Sequence, residues 1–196
     1  MIIRKLFEVE SAHIVRNCSS ERCSHSIHGH SAKIEVFFES SVLDNAQMVL
    51  DFGLVKGSIK QYLDSMDHSY LLCAHENREF KEFIKSNCAR YIEMPFNPSA
   101  EMLATFILFG VNYILDHTKL NNGEGDVRCI AVRYHETRTG YAEAHLEDVE
   151  RFMKEFTWND VEFSEGIRKD WSQELTDCID SGKNIINPII EQQIIL

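Results

Sequence analysis

The chain has 196 residues, enough for one domain with an appendage, and 44% of them are hydrophobic, as in an ordinary globular core. Its net charge of −11 argues against a general nucleic-acid-binding protein, which needs a basic surface. No apolar run reaches the ~18 residues of a membrane span and the N-terminus lacks the apolar region of a signal peptide, so the sequence predicts a cytoplasmic protein with no membrane partner.

The N-terminal part of the sequence predicts two strands separated by a polar loop. Residues 2–10 form the first strand, which leads into His13. Residues 32–39 alternate apolar and polar side chains, which is the period of a strand with one buried face. The intervening residues 14–27 are polar and are predicted to form the loop.

Two helices are predicted next. Asp51 is placed to cap a helix over about residues 52–66, whose apolar side chains share one face. The second begins after Asn97, with Pro98 at its first position, and runs to about Asp116. It is apolar nearly all round, which is typical of a buried helix.

Two further strands are predicted at residues 127–135 and 141–145, joined by a turn that includes Gly140. The order of elements is then ββααββ, without βαβ alternation. We therefore predict an α+β fold in which two helices pack on one face of a four-stranded antiparallel sheet.

Two segments fall outside this plan. Residues 73–95 are predicted to be an insertion with a short amphipathic helix. Residues 148–196 form a C-terminal extension beyond a domain of residues 1–147, and we expect it to pack on the core or on a neighbouring subunit. It is too apolar for a disordered tail, because it contains Phe152, Phe156, Trp158, Phe163, Ile167 and Trp171.

Three histidines suggest a metal site. His28 and His30 are two residues apart, so on a strand their side chains point to the same side, and Gly29 between them lets another chain segment approach closely. A His-Gly-His pair alone would be a weak signal. Together with His13, it gives the three imidazoles that catalytic zinc uses when its fourth position stays open.

These histidines lie within six short motifs that occur in order over residues 1–147. The motifs are Phe7 to His13, a cysteine followed by His28-Gly29-His30, Asp51-Phe52, Asp67-His68, Asn97 to Glu101, and His135-Glu136-Thr137. Together they resemble the 6-pyruvoyl-tetrahydropterin synthase / 6-carboxy-tetrahydropterin synthase family. The resemblance implies the tunnelling fold, in which small sheets join around a symmetry axis into a barrel. It also implies a homo-oligomer, usually a hexamer built from trimers, with sites at subunit boundaries.

The same resemblance implies the roles of the site residues. His13, His28 and His30 would bind Zn²⁺, a cysteine would act as the base, and Asp67 with His68 would carry a second proton. Glu136 would anchor the pterin through two neighbouring N–H groups, with a further contact from Thr137. Taken alone, Asp67-His68 would be read as the end of a helix, Asp51 as a helix cap and Glu101 as a first-turn carboxylate.

The spacing of the motif leaves more than one candidate for the reactive cysteine. The six cysteines of a cytosolic chain are expected to be thiols. Four residues separate Cys23 from His28, whereas the bacterial branch of the family has three and the animal branch five. We favour Cys23. Cys18 or His25 is the alternative candidate for the base. A strict alignment to the bacterial branch would place Ser24 at the position of the cysteine. A closed four-ligand zinc site that includes Cys18 and Cys23 is a minor alternative.

The function implied is that of a zinc-dependent lyase acting on 7,8-dihydroneopterin triphosphate in queuosine biosynthesis, giving 6-carboxy-5,6,7,8-tetrahydropterin, acetaldehyde and triphosphate. The first alternative is triphosphate elimination to 6-pyruvoyl-tetrahydropterin. A folate-directed cleavage would need a glutamate at the cysteine position, and Glu21 is out of register. A non-catalytic zinc-binding protein is the remaining alternative. The basic residues nearest the motifs, as candidates for triphosphate binding, are Arg16, Arg22, Lys33 and Arg138.

Overall fold

The computed structural model describes residues 1–186. Its strands are β1 (Ile2–His13), β2 (His28–Glu39), β3 (Ser69–Cys73), β4 (Tyr91–Met94), β5 (Thr118–Lys119), β6 (Arg128–His135), β7 (Ala142–His145), β8 (Glu162–Phe163) and β9 (Ile185–Ile186). Its helices are α1 (Glu21–Ser24), α2 (Phe52–Leu54), α3 (Lys60–Asp64), α4 (Arg78–Asn87), α5 (Ala100–Asp116), α6 (Leu146–Phe152), α7 (Glu165–Arg168) and α8 (Gln173–Ser181). A π-helical turn, Val55–Ile59, joins α2 to α3, and a 3-10 turn, Trp158–Asp160, precedes β8.

Seven strands form one sheet in the order β7-β6-β2-β1-β3-β4-β8. The four predicted strands form a continuous antiparallel part, in which β1 pairs with β2 from Ile2–Glu39 to His13–His28, and β6 and β7 follow. β5 and β9 form a separate parallel pair. Over the described residues, β1 is paired on its second side with β3 at Ser11–His13 and is bonded at Glu10 by Asp67 and His68, so the outer edge of residues 2–9 is open.

The prediction of a purely antiparallel sheet without βαβ alternation was wrong for the rest of the sheet. β3, α4 and β4 are a βαβ unit with parallel strands, and β8 from the C-terminal extension pairs with β4. The reason is that all five residues of β3 are buried. A strand covered on both faces has a continuous apolar run instead of an alternating pattern.

The predicted helices are present with shifted boundaries. Asp51 caps the first one, its Oδ1 accepting a hydrogen bond from the Gly53 amide at 2.7 Å, and the helix is kinked at Gly57, which has non-helical φ/ψ. The second begins at Ala100 and not at Pro98, because the Ser99 hydroxyl is the cap, accepting from the Met102 amide. α4 is the short amphipathic helix expected in the insertion.

The centre of the core lies between α5 and the sheet, and the extension contributes to it. Tyr62 packs against Gly110 so closely that an added Cβ would lie 2.3 Å from its ring, and its hydroxyl donates to the Phe106 carbonyl. Trp158 contacts the Phe106 ring edge, whereas Phe152 is exposed. Residues 187–196 of the predicted extension lie outside the described residues, and the division at residue 147 stays a prediction. None of the described helices combines the length and hydrophobicity needed to cross a bilayer.

Candidate metal centre and active site

Three histidines meet at the end of the β1–β2 ladder. His13 faces His28 in the register, and His30 lies two residues further along β2, so all three side chains leave the same face of the sheet. Their candidate ligand nitrogens all lie within 4.8 Å of one another, and the rings are 4.6–5.1 Å apart between centroids. We call His13, His28 and His30 the histidine cluster. Pairing of the two strands is sufficient to assemble it.

The hydrogen bonds of the cluster leave nitrogens free to bind a metal. His13 Nδ1 is 2.7 Å from the Pro98 carbonyl oxygen, and His28 Nδ1 is 2.9 Å from that of Ser26. A carbonyl only accepts, so each Nδ1 carries the proton and each Nε2 presents its lone pair. Nε2 of His13 and of His30 is buried without a hydrogen-bond partner. Such atoms in a group of three imidazoles fit a metal ion.

The electrostatics keep His13 neutral. Burial lowers its pKa from 6.5 to about 4, with a smaller lowering by the neighbouring charges of His28 and His30, while the hydrogen bond to Pro98 acts in the opposite direction. At pH 7 the imidazole is therefore unprotonated at one nitrogen, which is the form that binds metals.

Gly29 is required by the close approach of β1. A Cβ at this position would lie 2.9 Å from the Ser11 carbonyl oxygen, nearer than non-bonded atoms approach. Any larger residue would push the strands apart between His28 and His30. The glycine thus preserves the geometry of the histidine cluster.

Glu136 lies at the end of β6 beside the cluster. Its Oε1 is 3.5 Å from His13 Nε2 and 3.7 Å from His30 Nε2, and the side chain is half-buried. The next residue, Thr137, is exposed. The structure therefore brings the predicted ring anchor to the same point as the metal ligands.

Asp67 and His68 lie in the turn between α3 and β3, residues 65–68, which we call the Asp-His turn. Asp67 Oδ2 is 2.9 Å from His68 Nδ1, and Oδ1 accepts the Glu10 amide at 2.8 Å. Burial on its own raises the pKa of Asp67, but the Glu10 amide, His68 and the charge of Arg90 together hold it below its usual value. The carboxylate is thus ionised and fixes the tautomer of His68.

His68 and one member of the histidine cluster, His30, line the same groove. A cavity of about 550 Å³ is lined by both His30 and His68, with Gly29, Ser31 and Tyr70 among its other walls. His68 itself is exposed and has a left-handed backbone, with φ of 52°. The groove links the metal ligands to the predicted proton carrier.

Cys23 lies on α1, the helical turn before β2. Its carbonyl accepts the amide of Val15, which is two residues beyond His13, so the α1 turn is attached next to the histidine cluster. Cys18 precedes α1 in sequence, and its thiol donates a hydrogen bond to the Ser20 carbonyl. Among the described residues, the group whose candidate ligand atoms all lie within 4.8 Å of one another contains the three histidines and neither Cys18 nor Cys23, so the structure does not bring together a closed four-ligand site with these cysteines.

Comparison with known sequences decides the family. The profile described as 6-pyruvoyl tetrahydropterin synthase matches residues 2–147. The chain belongs to the 6-pyruvoyl tetrahydropterin synthase family. Among curated relatives of this family, a 6-carboxy-5,6,7,8-tetrahydropterin synthase of Helicobacter pylori strain J99 is 42% identical over 173 residues, covering 87% of this chain and 86% of that protein. One of Aquifex aeolicus is 31% identical over 121 residues, 60% of this chain and 73% of that one.

Solved structures share the fold of this chain. An uncharacterised protein of Wolinella succinogenes superposes with a TM-score of 0.56 at 19% identity, covering 74% of this chain and 98% of that one. The 6-pyruvoyl tetrahydropterin synthase of Caenorhabditis elegans gives 0.52 at 17% identity, covering 74% and 94%. At identities of 19% and 17%, this structural similarity shows a shared fold and nothing more.

Two residues of this family member were not found by sequence reasoning. The Pro98 carbonyl orients His13, and the Arg90 side chain contacts the backbone of the Asp-His turn. Both act on or through backbone carbonyls, which every residue has, so no side-chain pattern marks them. Arg16, a predicted phosphate contact, is held by Glu76 and the Ser24 carbonyl, while Arg22, Lys33 and Arg138 are exposed.

Proposed function

We propose that the chain is a zinc-dependent 6-carboxy-5,6,7,8-tetrahydropterin synthase. It converts 7,8-dihydroneopterin triphosphate to 6-carboxy-5,6,7,8-tetrahydropterin, acetaldehyde and triphosphate, with uptake of water, as a step towards queuosine. The observation that carries this proposal is the convergence of three imidazoles with Glu136, two of them with buried, unpartnered nitrogens. The 42% identity to a named 6-carboxy-5,6,7,8-tetrahydropterin synthase over most of both chains supports the choice of product.

His13, His28 and His30 are the residues that hold the zinc. Nitrogen donors in a group of three with a neutral buried member suit this ion, and they leave one position for substrate. A zinc ion held by these imidazoles would polarise the hydroxyls of the substrate side chain and acidify them and the adjacent C–H.

The remaining residues bind the ring and move protons. Glu136 accepts the two neighbouring N–H groups of the pterin, which places the side chain of the substrate over the histidine cluster. Cys23, on the turn anchored beside His13, takes a proton as thiolate. His68, held in one tautomer by Asp67, exchanges the second proton from the shared groove.

The open edge of β1 supports the homo-oligomer that the family resemblance implies. Residues 2–9 present backbone groups without a partner strand within the described part of the chain, and an exposed edge of this length is normally paired or blocked. Pairing with a second copy would close it, and we propose a hexamer with sites completed at subunit boundaries. All six thiols are unpaired, which fits the cytoplasm as the proposed location.

Product analysis tests the function directly. Zinc-loaded protein is incubated with 7,8-dihydroneopterin triphosphate, and the pterin and any aldehyde are identified by mass spectrometry. We expect carboxy-tetrahydropterin together with acetaldehyde. Pyruvoyl-tetrahydropterin without acetaldehyde would assign the chain to triphosphate elimination, and no turnover with zinc bound would favour the non-catalytic alternative.

A further inference from the structure

The Asp-His turn exchanges two hydrogen bonds with Glu10 of β1. The His68 amide donates to the Glu10 carbonyl at 2.6 Å, and the Glu10 amide returns a bond to Asp67. His68 has the left-handed conformation, which an L-residue adopts only where its surroundings impose it. Arg90 and Trp171 are among these surroundings.

Besides its local bonds, which include two from the Ser69 hydroxyl to the Ser65 and Asp67 carbonyls, the turn is contacted by Arg90. Its Nε donates to the Asp67 carbonyl at 2.9 Å, and one terminal nitrogen donates to the Asp64 carbonyl at 2.8 Å. The other terminal nitrogen donates to the Gly166 carbonyl at 3.1 Å and to the Asp170 carboxylate at 2.5 Å. The planar guanidinium thus connects the last residue of α3, Asp64, and the Asp-His turn, at Asp67, to the C-terminal extension.

Strand direction explains why Arg90 reaches the turn. β3 and β4 are parallel, with Tyr70 paired to Tyr91, so the residues that precede both strands lie at the same end of the sheet. The Asp-His turn precedes β3 and Arg90 precedes β4. The Tyr70 amide donates to the Arg90 carbonyl at 3.0 Å, which fixes this arrangement in the backbone.

The C-terminal extension also contacts the residues around Arg90 and the Asp-His turn at two other points. A Cβ at Gly166 would lie 2.1 Å from the Ala89 carbonyl oxygen, so α7 rests directly on the backbone next to Arg90. The Trp171 indole donates to the Ser65 hydroxyl at 2.9 Å, inside the Asp-His turn. The H. pylori relative covers 87% of the chain, more than its first 147 residues, so the similarity continues into this extension.

We propose that Arg90 is a positioning residue for the Asp67–His68 pair, through which the insertion and the C-terminal extension hold the pair in its working geometry. The proposal rests on the proposed function, because it assigns Arg90 a part in that reaction. It adds a role for two segments that lie outside the predicted ββααββ plan.

Arg90→Ala tests the proposal, with kcat and KM measured on 7,8-dihydroneopterin triphosphate using zinc-loaded full-length protein. We expect kcat to fall by about 10–100-fold while KM and zinc content change less than about threefold, because misplacing a proton carrier slows chemistry without removing binding groups. Added guanidinium ion, at concentrations that do not unfold the wild type, should restore part of kcat in this variant.

Arg78→Ala is the matched control. Arg78 is on the same insertion, but its side chain is exposed. Its ion pair is with Glu82 on the surface of α4 and not with the Asp-His turn. Its kcat should equal that of the wild type and should not respond to guanidinium. A folded Arg90→Ala protein with kcat within about twofold of wild type, or without rescue by guanidinium, would overturn the proposal.

Two further measurements keep the test decisive. If Arg90→Ala does not fold, Arg90→Lys replaces it, because one ammonium cannot make the four bonds of the fork, and the same loss of kcat is expected. Amide exchange at Glu10 and His68 should accelerate by at least about tenfold in the Arg90 variant, with the β2 amides unchanged. If the wild type turns over no substrate, the proposed function fails, and these exchange rates alone decide whether Arg90 holds the turn.

Discussion

The histidine cluster and the Asp-His turn lie at the same end of β1, yet they are built in different ways. The cluster results from two neighbouring strands in register, with one carbonyl from the start of α5 orienting His13. The turn is connected to β1 by one backbone bond and by one bond from the Glu10 amide to the Asp67 side chain, and besides its local bonds it is contacted by Arg90 and Trp171, which bond residues 23 and 106 positions away in sequence. A metal site made of adjacent strands needs little support from elsewhere. A proton carrier in a strained turn depends on long-range contacts.

The first test of this contrast is His28→Ala, which should affect the metal alone. We expect bound zinc to fall from about one per chain to below about 0.1, and turnover to fall by at least ~10³-fold, because one of three ligands is lost. Metal analysis and the product assay measure both. Amide exchange in the Asp-His turn should stay at the wild-type rate.

His75→Ala is the control for this substitution, since His75 is exposed and lies outside the cluster. Zinc content and turnover should be unchanged there. Retention of stoichiometric zinc by His28→Ala would mean that the cluster does not bind the metal as assigned.

The second test distinguishes the two cysteines near the cluster. Cys23→Ala should retain zinc and lose about 10²–10⁴-fold in kcat, the usual contribution of a positioned base. Cys18→Ala is the matched control and should keep full activity, because its thiol is bonded to the Ser20 carbonyl. The reverse result would transfer the role of base to Cys18.

The third test uses acid in the zinc-free protein. The folded-state pKa of His13 is about 4 against 6.5 unfolded, so between these values the unfolded chain binds more protons and stability increases with pH. The contribution of His13 is complete above pH 6.5 and is lost as the pH falls through 4, an effect of about 3 kcal/mol. Urea unfolding at several pH values measures it. His13→Asn, which keeps a donor for the Pro98 carbonyl, should remove this part of the pH dependence, and an unchanged profile would contradict the assignment.

The smallest expected effect concerns the seat of the extension. Gly166→Ala forces a methyl group against the Ala89 carbonyl and should cost about 1–3 kcal/mol, lowering the melting temperature by roughly 3–8 °C. Gly140→Ala is the control, because its Cβ would meet only the Thr137 hydroxyl at 3.7 Å. An unchanged melting temperature for Gly166→Ala would show that α7 is loosely attached.

The elements that the sequence predicted correctly are those whose signal is local. β2 alternates because one face is buried, Asp51 caps α2 through its own side chain, and α5 is apolar all round because it is covered on all sides. The start of α5 was missed by two residues, since Asn97 uses its amide on the Arg16 carbonyl and leaves the cap to Ser99.

What the sequence did not predict depends on distant partners. β3 and β8 are recognisable as strands only once β4 lies between them, since each is short and neither alternates. In the site, residue types and spacing indicated the histidines, whereas the roles of Asp67, His68 and Glu136 were expected from the family resemblance of the ordered motifs. Arg90 had no such signal, because it binds backbone carbonyls that three other segments present.

The way β3 meets β1 has a consequence for assembly. Residues 2–9 of β1 offer a free edge about 27 Å long, and this edge ends where the Glu10 amide and carbonyl are bonded to Asp67 and His68. In the proposed hexamer, a strand of a second copy that paired with this edge would have to end before Glu10. The residues proposed for proton transfer would then also limit the register in which neighbouring chains pair.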